Sequence, residues 1–124
     1  MLEGQQAKSM IDLDRDLQFQ QRMLDVLDAR TKATLHNVAN QNVAGFKRYV
    51  VQFEDLLKQA EAEGQSVDDV LPVTQRDQSG PPGQNNVVLM EELAMLGKTS
   101  LLHDLMSRRV GSYFSTLNKA INGR

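Results

Sequence analysis

Apolar residues recur at near-helical intervals along the first third of the chain: Leu13, Leu17, Leu24, Leu27, Leu35 and Val38, with Met23, Val26 and Ala33 alongside. No proline interrupts them, so the pattern predicts an amphipathic helix from about Leu13 to Asn40. The rhythm then changes. Phe46, Tyr49, Val50, Val51 and Phe53 form an aromatic and β-branched cluster that predicts an extended segment over 46–53. Glu54 to Ala62 reads as a short helix ended near Gly64. Between Gly64 and Gln84 the pattern collapses through Asp68-Asp69, Pro72 and Gly80-Pro81-Pro82-Gly83. Such a stretch reads as a loop or mobile arm, too poor in apolar surface to order itself without neighbours.

Helical spacing returns from Val87 to Ile121. Leu89, Leu93 and Leu96 begin a stripe, Leu101, Leu102, Leu105 and Met106 broaden it, and Val110, Phe114, Leu117 and Ile121 continue it. At ~1.5 Å per residue this helix is about 50 Å long. Asn85 or Asn86 stands where a cap for its start is expected, Glu91 and Glu92 lie early, and Arg108, Arg109 and Lys119 lie late, as the helix dipole favours. Gly97 and Gly111 interrupt its interior, each at a cost of about 1 kcal/mol relative to alanine.

These patterns predict an all-α, elongated chain whose long N- and C-terminal helices pack as a coiled-coil-like pair around an irregular or partly extended middle. Its segments are 1–45, 46–86 and 87–124, within one domain. Two such helices packed only on each other leave part of each broad apolar stripe without a partner, so another surface is expected to cover it. The candidate seam and assembly residues are Leu24, Leu27, Leu35 and Val38 in the first helix, and Leu89, Leu93, Leu96, Leu101, Leu105, Val110, Phe114, Leu117 and Ile121 in the second.

The chain's 124 residues, 40% of them hydrophobic, suffice for one modest core. Its net charge of -2 predicts no strong field. Lys47-Arg48 and Arg108-Arg109 are its basic pairs; they read as solvated or rim charges, and nucleic acid is not an expected partner. The absence of cysteine excludes disulfides, thiol catalysis and cysteine-ligated zinc. The opening Met1-Leu2-Glu3-Gly4-Gln5-Gln6 shows no basic then apolar pattern of a cleavable secretory signal. No apolar run approaches the ~20 residues of a membrane span.

Asp12, Asp14 and Asp16 alternate like calcium-loop ligands, but Leu17 and Met23 occupy the places of the required glycine and glutamate. An acidic, solvated helix face is the simpler reading. His36 and His103 lie on separate helices, where a packing role suits them better than metal ligation. Met90, Met95 and Met106 suit gap-filling in a core, or an adaptable partner groove. No nucleophile elbow or phosphate-cradling glycine loop occurs, so no catalytic, metal, cofactor or small-molecule site is expected.

The richest stretch lies where the first helix ends, in Leu35-His36-Asn37-Val38-Ala39-Asn40-Gln41-Asn42-Val43-Ala44-Gly45-Phe46-Lys47-Arg48. Asparagine and glycine can bond freed helix carbonyls or adopt left-handed backbone angles, so this block sets how the helix hands over to the next element. The order Asn37, Ala39, Asn40, Gly45, Phe46 and Lys47 resembles the N-terminal block of the flagellar axial proteins, the rod, hook and hook-associated family. Val43 and Ala44 stand where that family commonly has Thr-Pro. Phe53-Glu54 and the Asn85-Asn86-Val87 that opens the final helix look most like the proximal-rod members.

The resemblance implies a structural subunit, without cofactor, that polymerises through its terminal helices into the rod of the bacterial flagellar basal body. That rod is the periplasm-spanning drive shaft carrying torque from motor to hook. The implied partners are copies of itself, other rod proteins, the membrane-embedded ring at the rod base and the flagellar export apparatus, which delivers subunits without cleaving a signal peptide. The residues alone leave a second reading open, a self-contained helical adaptor or regulatory module binding a partner helix in a groove.

Overall fold

The computed structural model describes the backbone of residues 2–123 and the side chains of residues 4, 5 and 12–123. Helix α1 spans Leu2–Ala39, strand β1 Tyr49–Gln52, helix α2 Glu54–Ala62, a 3-10 turn Val67–Asp69, strand β2 Val73–Arg76 and helix α3 Leu89–Asn122. The two long helices run antiparallel and pack on each other: Asn37 meets Glu92 near one end, Asp28 meets His103 midway, and Leu13 lies beside Leu117 towards the other. The expected all-α architecture of two paired terminal helices and a short, partly extended middle is the one observed.

Burial marks the seam. On α3 the buried and half-buried residues Glu92, Leu96, Thr99, His103, Met106, Val110, Tyr113 and Leu117 step by four and three. On α1 Leu17, Gln20, Leu24, Leu27, Thr31, Thr34 and Val38 keep the same rhythm. This 3.5-residue period is the one that holds two α-helices face to face.

Three boundaries differ from those read in the sequence. α1 begins at Leu2, well before Leu13: the residues ahead of Leu13 have no apolar period, but most are good helix formers, and extending a nucleated helix is easy. α3 begins at Leu89 with Val88 at its N-cap, and no side chain caps it. The stretch read as an unsupported arm carries β2, paired antiparallel with β1 in the register Tyr49↔Arg76, Val50↔Gln75, Val51↔Thr74 and Gln52↔Val73. All four β2 residues are exposed, so the strand has no alternating apolar face and is held through its backbone.

The core lies on the side of α1 that faces the middle segment. Val26 and Ala33 pack with Val51 and Phe53, and Met23, Ala29, Tyr49, Leu57 and Val70 close around them. Phe53, 1% exposed, is the pivot. Its ring is sunk in this core while its carbonyl accepts the Leu57 N–H at 2.9 Å, which starts α2. Arg22 donates to the Val70 carbonyl at 3.0 Å, and Arg30 holds the Glu54 carboxylate and reaches the Val51 carbonyl. The middle is thereby folded back along α1.

Truncating Phe53 removes the largest fully buried side chain among the described residues. Phe53→Ala is expected to cost about 3–5 kcal/mol, the range for deleting a core aromatic ring, measured by urea unfolding followed by circular dichroism. A loss below about 1 kcal/mol, the size of a surface effect, would place the core elsewhere.

Candidate assembly surface and the junction that positions it

The six matched residues of the Asn-rich block each have a defined place. Asn37, 1% exposed, faces the edge of β1 like a piece of backbone. Its Oδ1 accepts the Tyr49 N–H at 2.7 Å and its Nδ2 donates to the Tyr49 carbonyl at 2.9 Å. That same Nδ2 donates to Glu92 Oε2 at 3.2 Å, which ties the start of α3 to the end of α1. Ala39 is the last residue of α1. Asn40 donates to the His36 carbonyl at 2.7 Å and so satisfies one of the helix's free acceptors.

Val43 to Phe46 form a turn closed by the Phe46 N–H on the Val43 carbonyl at 3.2 Å. Gly45 has φ +75° and no other type of residue in the described chain has positive φ, so the turn is of type II with glycine at its third position. The proline common in the axial family would fall on Ala44, the second position, where its ring presets the backbone.

Phe46 packs edge-on to Tyr49 at 6.0 Å, and the Arg76 guanidinium stacks over both rings at 4.9 and 3.8 Å. Lys47 and Arg48 are not the solvated charges the sequence suggested. Lys47 donates to the carbonyls of Ser79 at 3.1 Å and Pro81 at 2.9 Å, which straps the Gly-Pro-Pro-Gly loop down. Arg48 Nε donates to Glu92 Oε1 at 2.6 Å, and its Nη1 to Asp77 Oδ2 at 3.2 Å. Burial opposes the arginine charge, but these two carboxylates outweigh it and hold its pKa above the ordinary value. Asp77 is held below the ordinary carboxylate value, first by the Ser79 N–H and then by Arg48. Glu54 is lowered by its hydrogen bonds from Arg30.

The expected capping of α3 by Asn85 or Asn86 does not occur. Asn85 Nδ2 lies 2.9, 3.1 and 2.7 Å from the carbonyls of Asn40, Gln41 and Val43, so it closes the end of α1 instead. Asn86 Oδ1 accepts the Arg48 N–H at 2.7 Å while its Nδ2 donates to the Asp77 carbonyl at 2.7 Å, adding a side-chain rung beyond the β1–β2 ladder. Glu92, Asn85, Asn86 and Asp77 were thus missed as junction residues. An Asn pair ahead of a helix gives a cap signal, and nothing local distinguishes a cap for the next helix from one for a helix 45 residues earlier.

The junction fixes how α3 is turned about its axis. Of the candidate seam residues, Leu27 is buried, and Leu24, Val38, Leu96, Val110 and Leu117 are half-buried. Leu35, Leu89, Leu93, Leu101, Leu105, Phe114 and Ile121 are exposed, with Leu101 at 61% and Leu105 at 53%. Leu93, Leu101 and Leu105 form a ridge off the seam with Gly97 within it, whereas Leu89, seven residues before Leu96, continues the seam at its exposed end. A cleft of about 400 Å³ between the far ends of the helices is lined by Leu13, Arg109, Tyr113 and Leu117. No described helix is long and apolar enough to cross a membrane.

No family model matches the chain. It is similar to the flagellar basal body rod protein FlgB of Borreliella burgdorferi, 27% identical over 131 residues that cover 88% of this chain and 97% of that protein.

Two substitutions test the junction. Ala44→Pro should stabilise the chain by about 0.4–1 kcal/mol, because proline at the second position of a type II turn restricts the unfolded state; a lowered Tm would show that Ala44 has other backbone angles. Glu92→Ala leaves Arg48 and Asn37 without their shared acceptor and should cost roughly 2–3 kcal/mol, below the range for a fully buried pair because Arg48 keeps Asp77 and some solvent. Urea unfolding measures both.

Proposed function

We propose that the chain is a structural subunit of the bacterial flagellar basal-body rod, of the FlgB kind, which polymerises through its two long helices. The end-to-end similarity to the Borreliella rod protein carries this reading. It is supported by the Asn37 to Lys47 block and by a leucine ridge that the subunit leaves uncovered. A head-to-tail contact whose rotation does not close builds a helical tube, and an apolar ridge on a rigid helix is the surface such a contact needs. Neighbouring subunits, other rod proteins and the ring at the rod base are its partners in this reading. Its work is mechanical: it transmits torque and performs no chemistry.

Leu105 tests the surface without touching the subunit's own packing. Leu105→Asp should leave the helical circular dichroism and Tm of the isolated chain within about 0.5 kcal/mol of the parent, as for other exposed positions. In cells it should abolish incorporation into isolated basal bodies and swimming in soft agar, because a buried, unpaired carboxylate is costly in a helix contact. Leu105→Asp subunits in a functional rod would show that the ridge is not an assembly seam. Normal rods in cells lacking the chain would favour the self-contained adaptor.

A further inference from the structure

Three arginines of α1 reach the middle segment. Arg15, Arg22 and Arg30 stand seven and eight residues apart, one every second turn of the helix. Arg15 meets Asp68 at 3.2 Å, Arg22 donates to the Val70 carbonyl at 3.0 Å, and Arg30 holds Glu54. What they hold is the acidic part of the chain, since residues 54–71 carry six carboxylates and one lysine. These residues form one body. α2 ends at Gly64, whose φ of +70° lets the Gln65 N–H reach back to the Ala60 carbonyl at 2.8 Å, and Ser66 caps the 3-10 turn through the Asp68 N–H. Its hold on α1 is thin. Only Ala60 among residues 54–71 is buried, Leu57 and Val70 are half-buried over the core, and the Glu54 and Asp68 carboxylates are each about half exposed. Exposed ion pairs contribute little in water. β1 is held differently: Asn37 takes both backbone groups of Tyr49, and the neighbouring Arg48 is tied to the buried Glu92.

We propose that α2 and the 3-10 turn form a latch that opens from α1 as one body, swinging on Phe53 and Pro72 while β1 and the helix junction stay closed. Opening lifts Leu57 and Val70 off the core. Val26, 0% exposed in the closed chain, lies midway between Arg22 and Arg30 and so comes within reach of water together with Met23. The latch is thus a cover over an apolar strip of α1. The three arginine contacts break together when it lifts, so the arginine row sets how often the chain is open. The device sits on the flank of α1 that faces the middle segment, apart from the exposed leucines of α3. It does not depend on the rod reading, because it concerns the chain alone.

Native-state amide hydrogen exchange on the dilute chain tests this. In the parent, the amides of residues 58–62 should exchange more slowly than their intrinsic rates but at least tenfold less protected than those of residues 27–38, which open only with the whole fold. Replacing Arg15, Arg22 and Arg30 together by glutamine should quicken exchange in 58–62 at least tenfold, with a much smaller change in 27–38. Unequal effects on the two segments separate loss of the latch from loss of the fold. The chain has no cysteine, so Val26→Cys and Thr99→Cys each supply a single buried thiol, one beneath the latch and one in the helix seam. An excess of thiol reagent should label the first at least tenfold faster. Equal protection of the two segments, exchange of 58–62 at the intrinsic rate, a glutamine variant that speeds both segments alike, or Val26→Cys labelled no faster than Thr99→Cys would each overturn the proposal.

Discussion

The structure hangs on a carboxylate almost closed to solvent. Glu92 is 1% exposed, and a charged group so placed is tolerated only when each oxygen has a partner. One oxygen takes Arg48 and the other takes Asn37. These partners lie beside the first strand and near the end of α1, so satisfying one carboxylate requires α1, β1 and the start of α3 to converge. The register of the helix pair and the rotation of α3 about its axis follow from that point.

Rotation matters because α3 has two unlike faces. The inward face carries Glu92, Thr99 and His103 among its apolar residues, and the exposed side carries Leu93, Leu101 and Leu105 with Gly97 among them. In a self-sufficient helical hairpin the order would be reversed, since burying a leucine fully stabilises by about 1.5–3 kcal/mol and burying a threonine does not. Polar seam residues favour one register over others that an all-leucine seam would permit. The fold thus holds its helices in a defined relation while leaving several leucines of α3 uncovered.

The middle segment serves the same end. Residues 64–86 are poor in apolar groups, yet they are tied down by directed hydrogen bonds: Lys47 to the Gly-Pro-Pro-Gly loop, Asn86 to the end of the ladder, and Asn85 to the carbonyls closing α1. A segment that cannot gain enough from hydrophobic burial is ordered by backbone groups that would otherwise stay unpaired. The middle segment is anchored in the core chiefly by Phe53, with Val51, packed against Val26 and Ala33.

Local preference was enough to locate the two long helices, the turn after α1 and the extended run at Phe46 to Phe53, because helical period, turn chemistry and β-propensity act over a few residues. The sequence by itself therefore determined which long segments are helical and where they end, and Gly45 was legible as a turn glycine for that reason. It could not tell which leucines face inward. Leu24 and Leu96 belong to the seam and Leu35 and Leu105 do not, a division set by the rotation of each helix rather than by its period. Nor could it assign Arg48, Asn85, Asn86 or the all-exposed β2, whose partners are distant in the chain; the Asn37–Glu92 bond spans 55 positions. Only the folded chain brings such groups together, and burying a charge in its midst is what makes the arrangement specific.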